Sequence, residues 1–223
     1  MRRLLRALLV VFLLGGCGGA AEGEGTATLW VTSDRGRQLV LAAEVPAGQT
    51  LMRALASQLE IETRYGGRYL QSAGGLAGSL ESQRDWFWFV NGYEGDRGAG
   101  EYRLRDGDVA WWDYRSWRED GEARVVVGAF PEPFLHGFAG ETRPAVVRYQ
   151  PSEQSRAEQL GARIDATSIE PLRTPVPRGA NVLEVRSGPS RLVAELLGET
   201  AGDPVRFVLT GSLGTPTRRY ELP

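Results

Sequence analysis

The side chains that could perform chemistry in this sequence are few and poorly spaced for catalysis. His136 is the single histidine, its neighbours in the run FLHGF are apolar, and no Gly-x-Ser-x-Gly nucleophile elbow precedes it. Asp106 and Asp108 could serve as the two carboxylates of a glycosidase, although Gly107 between them is more typical of a turn that enters a strand. The sequence has no lysine, which excludes Schiff-base chemistry. We therefore expect that the protein is not an enzyme.

Metal binding has little support in the sequence. One Cys and one His are too few for a zinc site or another soft-metal site. Glu94, Asp96 and Glu101 could offer oxygen ligands to Ca²⁺ from one loop, but Arg97 stands among them and no EF-hand spacing is present. The sequence predicts neither a metal site nor a resident cofactor.

The single Cys, Cys17, follows a segment that is typical of a bacterial leader. Residues 1–16 (MRRLLRALLVVFLLGG) join a positively charged start to an apolar stretch that is too short to cross a bilayer. Residues 14–17 (LGGC) resemble the lipobox, in which the Cys is lipidated and becomes the new N-terminus, and an ordinary secretory leader is the alternative. We expect a lipoprotein signal peptide at 1–16, a lipidated Cys17 and a flexible tether at 17–26. These features predict a lipid-anchored, extracytoplasmic protein of the bacterial cell envelope.

The distribution of charge and of ring side chains indicates the class of partner and the domain organisation. The chain holds 28 acidic and 26 basic residues, and the leader takes three of the arginines, so the remainder is mildly acidic and lacks the basic stripe that nucleic acid requires. All six Trp lie between residues 27 and 118, whereas eleven of the 12 Pro follow residue 123. This change in composition, with a polar EDGE break at 119–122, predicts two domains at 27–118 and 123–223.

Periodicity in the first domain predicts a hairpin, a helix and a second group of strands. The expected elements are strands at 26–33, 38–45, 85–90, 102–104 and 108–114, a helix at 51–59 capped by Thr50, and a Gly-rich loop at 65–79. The order of these elements is typical of an α+β domain of the β-grasp type.

The second domain is predicted to be a small α/β domain, and the sequence assigns no role to it. The expected elements are strands at 123–130, 144–149, 181–186 and 204–210, a helix at 152–164 capped by Ser152, and a further helix at 191–197.

The most distinctive stretch of the chain is aromatic. It comprises WFWFVNG at 86–92, GEYRLRDGDV at 100–109 and WDY at 112–114. These motifs resemble the transcobalamin-like C-terminal family of secreted and lipid-anchored bacterial proteins, over roughly residues 26–117. The resemblance implies a β-grasp fold. It also implies a small ligand such as cobalamin or another corrinoid, delivered to a membrane transporter.

The aromatic residues must be shared between the core and any ligand site. Trp86, Trp88 and Trp112 are expected to fill the core, whereas Trp111 alternates with Trp112 along its strand, so one of the pair should point outward. Tyrosines in the Gly-rich loops could border the same surface. The predicted ligand-binding residues are Tyr65, Tyr69, Trp88, Tyr93 and Trp111.

Two functional hypotheses follow from these patterns. The first is a non-catalytic, lipid-anchored binding protein that captures a small ligand, with a corrinoid as one candidate, for uptake. The alternative is an envelope interaction module that binds a protein or a glycan through its aromatic surface. A hydrolase that uses His136 or Asp108 is the least supported class.

Overall fold

The computed structural model describes residues 25–118 and 124–211. The predicted signal peptide at 1–16 and Cys17 lie outside the described residues, as does most of the predicted tether at 17–26. Within the two described ranges the chain is mixed α/β, built mostly from sheets with a few short helices. In these same ranges, no helix combines the length and the apolar character needed to cross a membrane.

A five-stranded sheet organises the first part of the chain. The elements, in chain order, are β1 (Thr26–Ser33), β2 (Gln38–Pro46), α1 (Leu51–Ala56), β3 (Ile61–Arg64), β4 (Tyr69–Ala73), β5 (Leu76–Ala77), β6 (Arg84–Val90), β7 (Tyr93–Glu94) and β8 (Val109–Ser116). The strand order is β2-β1-β8-β6-β7, with β1 and β8 parallel and the other pairs antiparallel. The four longest of these strands match the predicted ones to within two residues at either end.

Helix α1 covers one face of this sheet. The Thr50 side chain accepts a hydrogen bond from the Arg53 backbone N–H, which confirms the predicted cap. Leu51 and Leu55 are completely buried in the core. The helix is shorter than the predicted 51–59, because the N–H of Gln58 bonds to the Leu55 carbonyl three residues back and the turn tightens there.

The prediction of a loop at 65–79 is wrong. Strands β3, β4 and β5 form a separate antiparallel sheet across this region. The glycines that suggested a loop make its tight turns instead: Gly74 and Gly75 connect β4 to β5 with φ of 56° and 83°. Glycine adopts such angles without steric cost, so a Gly-rich stretch is compatible with short hairpins as well as with a loop.

A second five-stranded sheet organises the later part of the chain. Its elements are β9 (Ala145–Tyr149), α3 (Gln154–Arg163), β10 (Ser168–Pro171), β11 (Asn181–Arg186), β12 (Arg191–Leu196) and β13 (Val205–Thr210), and they are preceded by α2 (Glu132–Leu135). The order is β10-β9-β11-β13-β12, in which only the edge strand β12 runs antiparallel to its neighbour.

The helix predicted at 191–197 is wrong, since this segment is strand β12. Leu192 and Leu196 are four residues apart, a spacing that fits a helix face. The same spacing is two periods of a strand, and Leu192, Ala194 and Leu196 all pack against the core from one side of β12.

The start of the predicted helix at 152–164 also differs. A 3₁₀ turn, Pro151–Glu153, precedes α3, so Ser152 does not cap the helix. Its hydroxyl is instead 2.7 Å from that of Ser187.

The predicted strand at 123–130 is wrong as well, because its described residues belong to a connection between the two sheets. Residues 125–143, called the bridging segment below, include a 3₁₀ turn at Val127–Ala129 and the helix α2. Phe134 packs on Phe207 of β13, with ring centroids 5.3 Å apart, while Phe138 packs on Tyr102 at the same distance. An apolar run that fills the space between two sheets has the composition of a buried strand, which accounts for the wrong prediction.

Candidate ligand-binding site

The VNG and GD motifs form a buried hydrogen-bonded cluster. Asn91, with φ of 50°, makes the turn between β6 and β7. Its amide nitrogen donates to Asp108 Oδ1 at 2.8 Å and to the Gly137 carbonyl at 3.0 Å, and its amide oxygen accepts from the Val109 N–H at 2.8 Å. Asp108 also accepts from the Arg105 N–H at 2.9 Å. These groups are used to hold the first sheet to the bridging segment.

The residues considered for hydrolysis make other contacts. Asp106 accepts a hydrogen bond from the Thr26 N–H at 2.9 Å, and Asp108 belongs to the cluster described above. His136 Nδ1 lies 2.7 Å from Glu132 Oε2, and the Glu132 side chain is completely buried. The imidazole and the two aspartates therefore each form hydrogen bonds with a different part of the chain.

The loop considered for Ca²⁺ is occupied by ion pairs. Asp96 accepts from Arg97 through both carboxylate oxygens, at 2.7 and 2.9 Å, and this hydrogen bonding holds the pKa of Asp96 below its usual value. Glu94 lies 3.7 Å from the Arg124 guanidinium. Among the residues that the structure describes, no group of three or more His, Cys, Asp or Glu could hold a metal ion.

Trp111 is buried, so the expectation that one of the adjacent tryptophans points outward is wrong. It does face opposite to Trp112, as its position predicts. Val126 and Ala129 of the bridging segment cover that face, and Trp30 packs edge-to-face on the Trp111 ring at 5.3 Å. The Trp111 indole N–H donates to Thr32 Oγ1 at 2.8 Å. The N–H of this ring is therefore already engaged within the protein, and the ring itself is 2% exposed.

Tyr93 is also buried, contrary to its predicted place beside a ligand. Only 1% of its surface is exposed, and its ring packs on Phe138 at 5.7 Å. Burial raises the pKa of Tyr93 to about 12. The bridging segment again explains the difference, because residues far along the chain close over a loop that looks open in the sequence.

An open cleft of about 280 Å³ lies on the same side of the first sheet as Trp112. We call it the aromatic cleft. Its main lining side chains come from β4, β6, β8 and two loops: Arg68, Tyr69, Trp86, Trp88, Arg97 and Trp112. Of the five predicted ligand-binding residues, the structure brings Tyr69 and Trp88 into this cleft and leaves Tyr93 and Trp111 elsewhere.

Trp88 provides the half-buried ring of the cleft. It leans on Tyr102 at 5.8 Å and on Trp112 at 6.4 Å, so its orientation is fixed by buried aromatic neighbours. The backbone of Gly95 passes so close to the indole that a Cβ at this position would overlap the ring, and the Gly95 N–H donates to the Trp88 carbonyl at 3.1 Å. One side of the ring is thus supported by protein and the other borders the cleft.

Tyr69 lies at the edge of the cleft, and Tyr65 packs on it. Tyr69 lines the cleft and is 36% exposed, and Tyr65, which is 79% exposed, packs on it edge-to-face at 6.2 Å. The Tyr69 hydroxyl donates to Asp85. Burial and this hydrogen bond raise the pKa of Tyr69, so the phenol remains neutral and its proton is already engaged.

Trp112 carries an unusual polar group. It is 2% exposed, and its indole N–H has no hydrogen-bond partner among the described residues. Leaving a buried donor unsatisfied costs roughly 1–3 kcal/mol, and such groups are rare in folded proteins. The sequence placed Trp112 in the core, which is correct for its ring, but periodicity alone does not show that its N–H lacks an acceptor.

The sequence reasoning also missed Arg68 and Arg97 as lining residues. The signal that could have found Arg68 is its position directly before Tyr69 in the Gly-rich stretch. Because that stretch was interpreted as a loop, the regular strand that carries Tyr69 towards the cleft was not anticipated.

Comparison with known proteins places a family match over the cleft. A family model described as a domain of unknown function, DUF4430, matches residues 48–116, which include every cleft residue named above. Comparison with curated proteins finds no match. A solved structure from Ruminococcus gnavus ATCC 29149, described as a candidate metal-binding protein, is 19% identical with a TM-score of 0.36, over 42% of this chain and 98% of that one. Haptocorrin in complex with Cbi is 16% identical with a TM-score of 0.36, over 45% of this chain and 27% of that one.

Proposed function

We propose that this chain is a non-catalytic binding protein of a bacterial cell envelope, anchored by a lipid on Cys17, that captures a small ligand in the aromatic cleft for uptake. The observation that carries the proposal is the pairing, in one cleft, of the half-buried Trp88 ring with a buried Trp112 N–H that has no partner among the described residues. Binding sites combine apolar ring surface with a few placed polar groups in this way.

The domain that presents the cleft is proposed to be a β-grasp domain. In support, β1 and β8 lie parallel at the centre of the sheet, the β1–β2 hairpin lies on one side, and α1 contributes buried leucines to the core. The sequence motifs at 86–92 and 100–109 support a corrinoid as a candidate ligand.

Calorimetric titration with cobalamin of the protein lacking its leader tests the proposal. We expect micromolar binding that weakens about ten-fold or more in Trp88→Ala, because a flat ring is lost from the cleft. Trp30→Ala is the matched control: Trp30 is also a half-buried indole of this sheet, but it packs with Trp111 on the opposite face. Absence of binding heat would overturn the corrinoid assignment, and equal losses in the two variants would overturn the cleft as the site.

An envelope interaction module remains the second candidate function. It is favoured by Tyr65, which is 79% exposed, packs on the lining residue Tyr69 and offers a large ring for a protein or glycan partner. Capture of a membrane protein by the wild type and not by Tyr65→Ala, without any small-molecule binding, would support this function instead of the first.

A further inference from the structure

Three buried tryptophans of the first sheet use their indole N–H groups differently. Trp86 donates to the Leu76 carbonyl at 3.1 Å, and Trp111 donates to Thr32 Oγ1 at 2.8 Å. Trp112 has no acceptor among the described residues, and it is also a lining residue of the aromatic cleft. Because an indole N–H can only donate, a ligand that forms a hydrogen bond with Trp112 must carry an acceptor atom.

The charges around the cleft favour an anionic group as the acceptor of the Trp112 hydrogen bond. Among the described residues, the Arg68 side chain has no hydrogen-bond or ion-pair partner, whereas Arg97 is paired with Asp96. Glu94 also lines the cleft, and it lies beside Arg124. The charges of Arg97 and Glu94 are thus each offset by a neighbouring residue, whereas Arg68 is a lining cation for which the described residues provide no counter-ion.

The Tyr69 hydroxyl, another polar group that lines the cleft, does not change this balance of charge. The Tyr69 hydroxyl donates a hydrogen bond to the Asp85 carboxylate, which is not a lining residue of the cleft and also accepts from the Trp86 N–H at 2.8 Å, so both groups are engaged within the protein. The Trp112 N–H and the Arg68 guanidinium, two lining groups without a partner among the described residues, are thus both donors.

We propose that the ligand of the aromatic cleft is a ring-bearing organic anion, whose carboxylate or phosphate oxygen accepts from Trp112 Nε1 and is neutralised by Arg68 while its ring lies on Trp88. This inference rests on the proposed function and adds the chemical class of the ligand. The cleft of about 280 Å³ suits a two-ring acid or one arm of a larger anionic molecule.

A matched pair of probes tests the proposal. 2-Naphthoate and 2-naphthamide have the same ring system and differ in charge, and 2-naphthyl phosphate distinguishes phosphate from carboxylate. Binding is followed by NMR on protein with nitrogen-labelled tryptophan, which reports each indole N–H separately. We expect one of the two anions to shift the Trp112 resonance and to bind about ten-fold more tightly than the amide, as charge-assisted hydrogen bonds are the stronger ones.

Two variants separate charge from hydrogen bonding. Arg68→Gln removes the cation at an exposed position and should abolish most of the preference for the anion, while Arg178→Gln, at an exposed position on the second part of the chain, should preserve it. Trp112→Phe keeps a ring and removes the donor, and it should also reduce the preference.

The outcomes distinguish the inference from the proposed function. If the anions and the amide bind in the cleft with equal affinity, or if Arg68→Gln keeps the preference, the ligand class is overturned and a small-molecule site remains. If no probe shifts the Trp88 or Trp112 resonances, the cleft as a ligand site is overturned together with the class.

Discussion

At the scale of a single residue, Tyr93 shows how the later part of the chain sets the chemistry of the first. Its phenol is buried against Phe138 of the bridging segment, and Arg143 and Asn181 lie close enough to influence its ionisation. Burial, the largest cause, raises the pKa from 10.0 to about 12 because the ionised phenolate would lose its hydration. The folded state therefore binds the phenolic proton more tightly than the unfolded state does.

This difference predicts a loss of stability in alkaline solution. Below the unfolded pKa of 10.0 the contribution of Tyr93 is fully present, and it is lost as the pH rises towards about 12. Between about pH 9 and about pH 11, the free energy of unfolding should fall by roughly 1 kcal/mol more in the wild type than in Tyr93→Phe. Urea unfolding at both pH values measures the free energy of unfolding. The control is Tyr149→Phe, which alters a half-buried tyrosine of the second sheet. An identical pH dependence in wild type and Tyr93→Phe would contradict the assignment.

The pair Trp111 and Trp112 shows which part of the site the sequence could predict. Strand alternation correctly placed the two rings on opposite faces of β8. The exposure of each face depends on what covers it, and Val126 and Ala129 of the bridging segment cover Trp111. Burial that depends on residues distant in sequence leaves no periodic signal in the strand itself. For the same reason, the pattern did not show that Trp111, which it assigned to a ligand, is buried.

At the scale of the element, the β6–β7 hairpin and the loop after it hold Trp88 in place. The backbone of Gly95 supports the indole so closely that a side chain would displace the ring. The loop then continues through the Asp96–Arg97 ion pair to Ala99, whose carbonyl accepts from the Met52 N–H of α1 at 3.1 Å. The position of the cleft wall thus follows from local backbone contacts.

Adding one methyl group to this loop should disturb binding. Gly95→Ala is expected to push the Trp88 ring aside and to weaken the proposed binding of cobalamin about ten-fold. It should also reduce the free energy of unfolding by roughly 1–3 kcal/mol through overpacking. Gly100→Ala is the matched control, because its nearest contact would be the Gly67 carbonyl at an ordinary 3.6 Å. The two variants are compared by calorimetry and by thermal unfolding. Equal behaviour of both variants would show that Gly95 does not position the ring.

The four longest strands of the first sheet were predictable because each repeats a local pattern, whereas the two-residue strand β7 was not predicted. Strand β6 packs Trp86 and Trp88 into one apolar cluster and Phe87 and Phe89 into another, and Thr50 caps α1 as its type and position suggest. Strands β4 and β12 were missed for a physical reason: their turns and spacings fit two structures equally well, and pairing with a neighbouring strand decides between them. The sequence of the segment alone does not show this pairing energy, because it depends on the neighbouring strand.

At the scale of the whole molecule, the two sheets share one continuous core. The bridging segment lies between them, with Phe130 and Phe134 packed on Phe207 and with Phe138 packed on Tyr93 and Tyr102. Asn181 of the second sheet also donates to the Pro133 carbonyl at 3.0 Å. Apolar contacts of this kind couple the stability of the two parts, although their compositions differ.

This coupling predicts a single unfolding transition. Every Trp lies between residues 27 and 118, so tryptophan fluorescence reports on the first part, while far-UV circular dichroism reports on both. In the wild type the two signals should change together in urea, as expected for a cooperative unit. Phe138→Ala, which removes a ring that is 3% exposed, should cost roughly 3–5 kcal/mol and shift both transitions.

The control for this experiment is Leu197→Ala, at a side chain that is 49% exposed at the end of β12, where a change of less than about 0.5 kcal/mol is expected. Two separate transitions in the wild type would contradict the shared core. If Phe138→Ala shifted only one of the two signals, the bridging segment would belong to one sheet alone. A common shift would mean that the later part of the chain, which has no assigned role of its own, stabilises the sheet that bears the aromatic cleft.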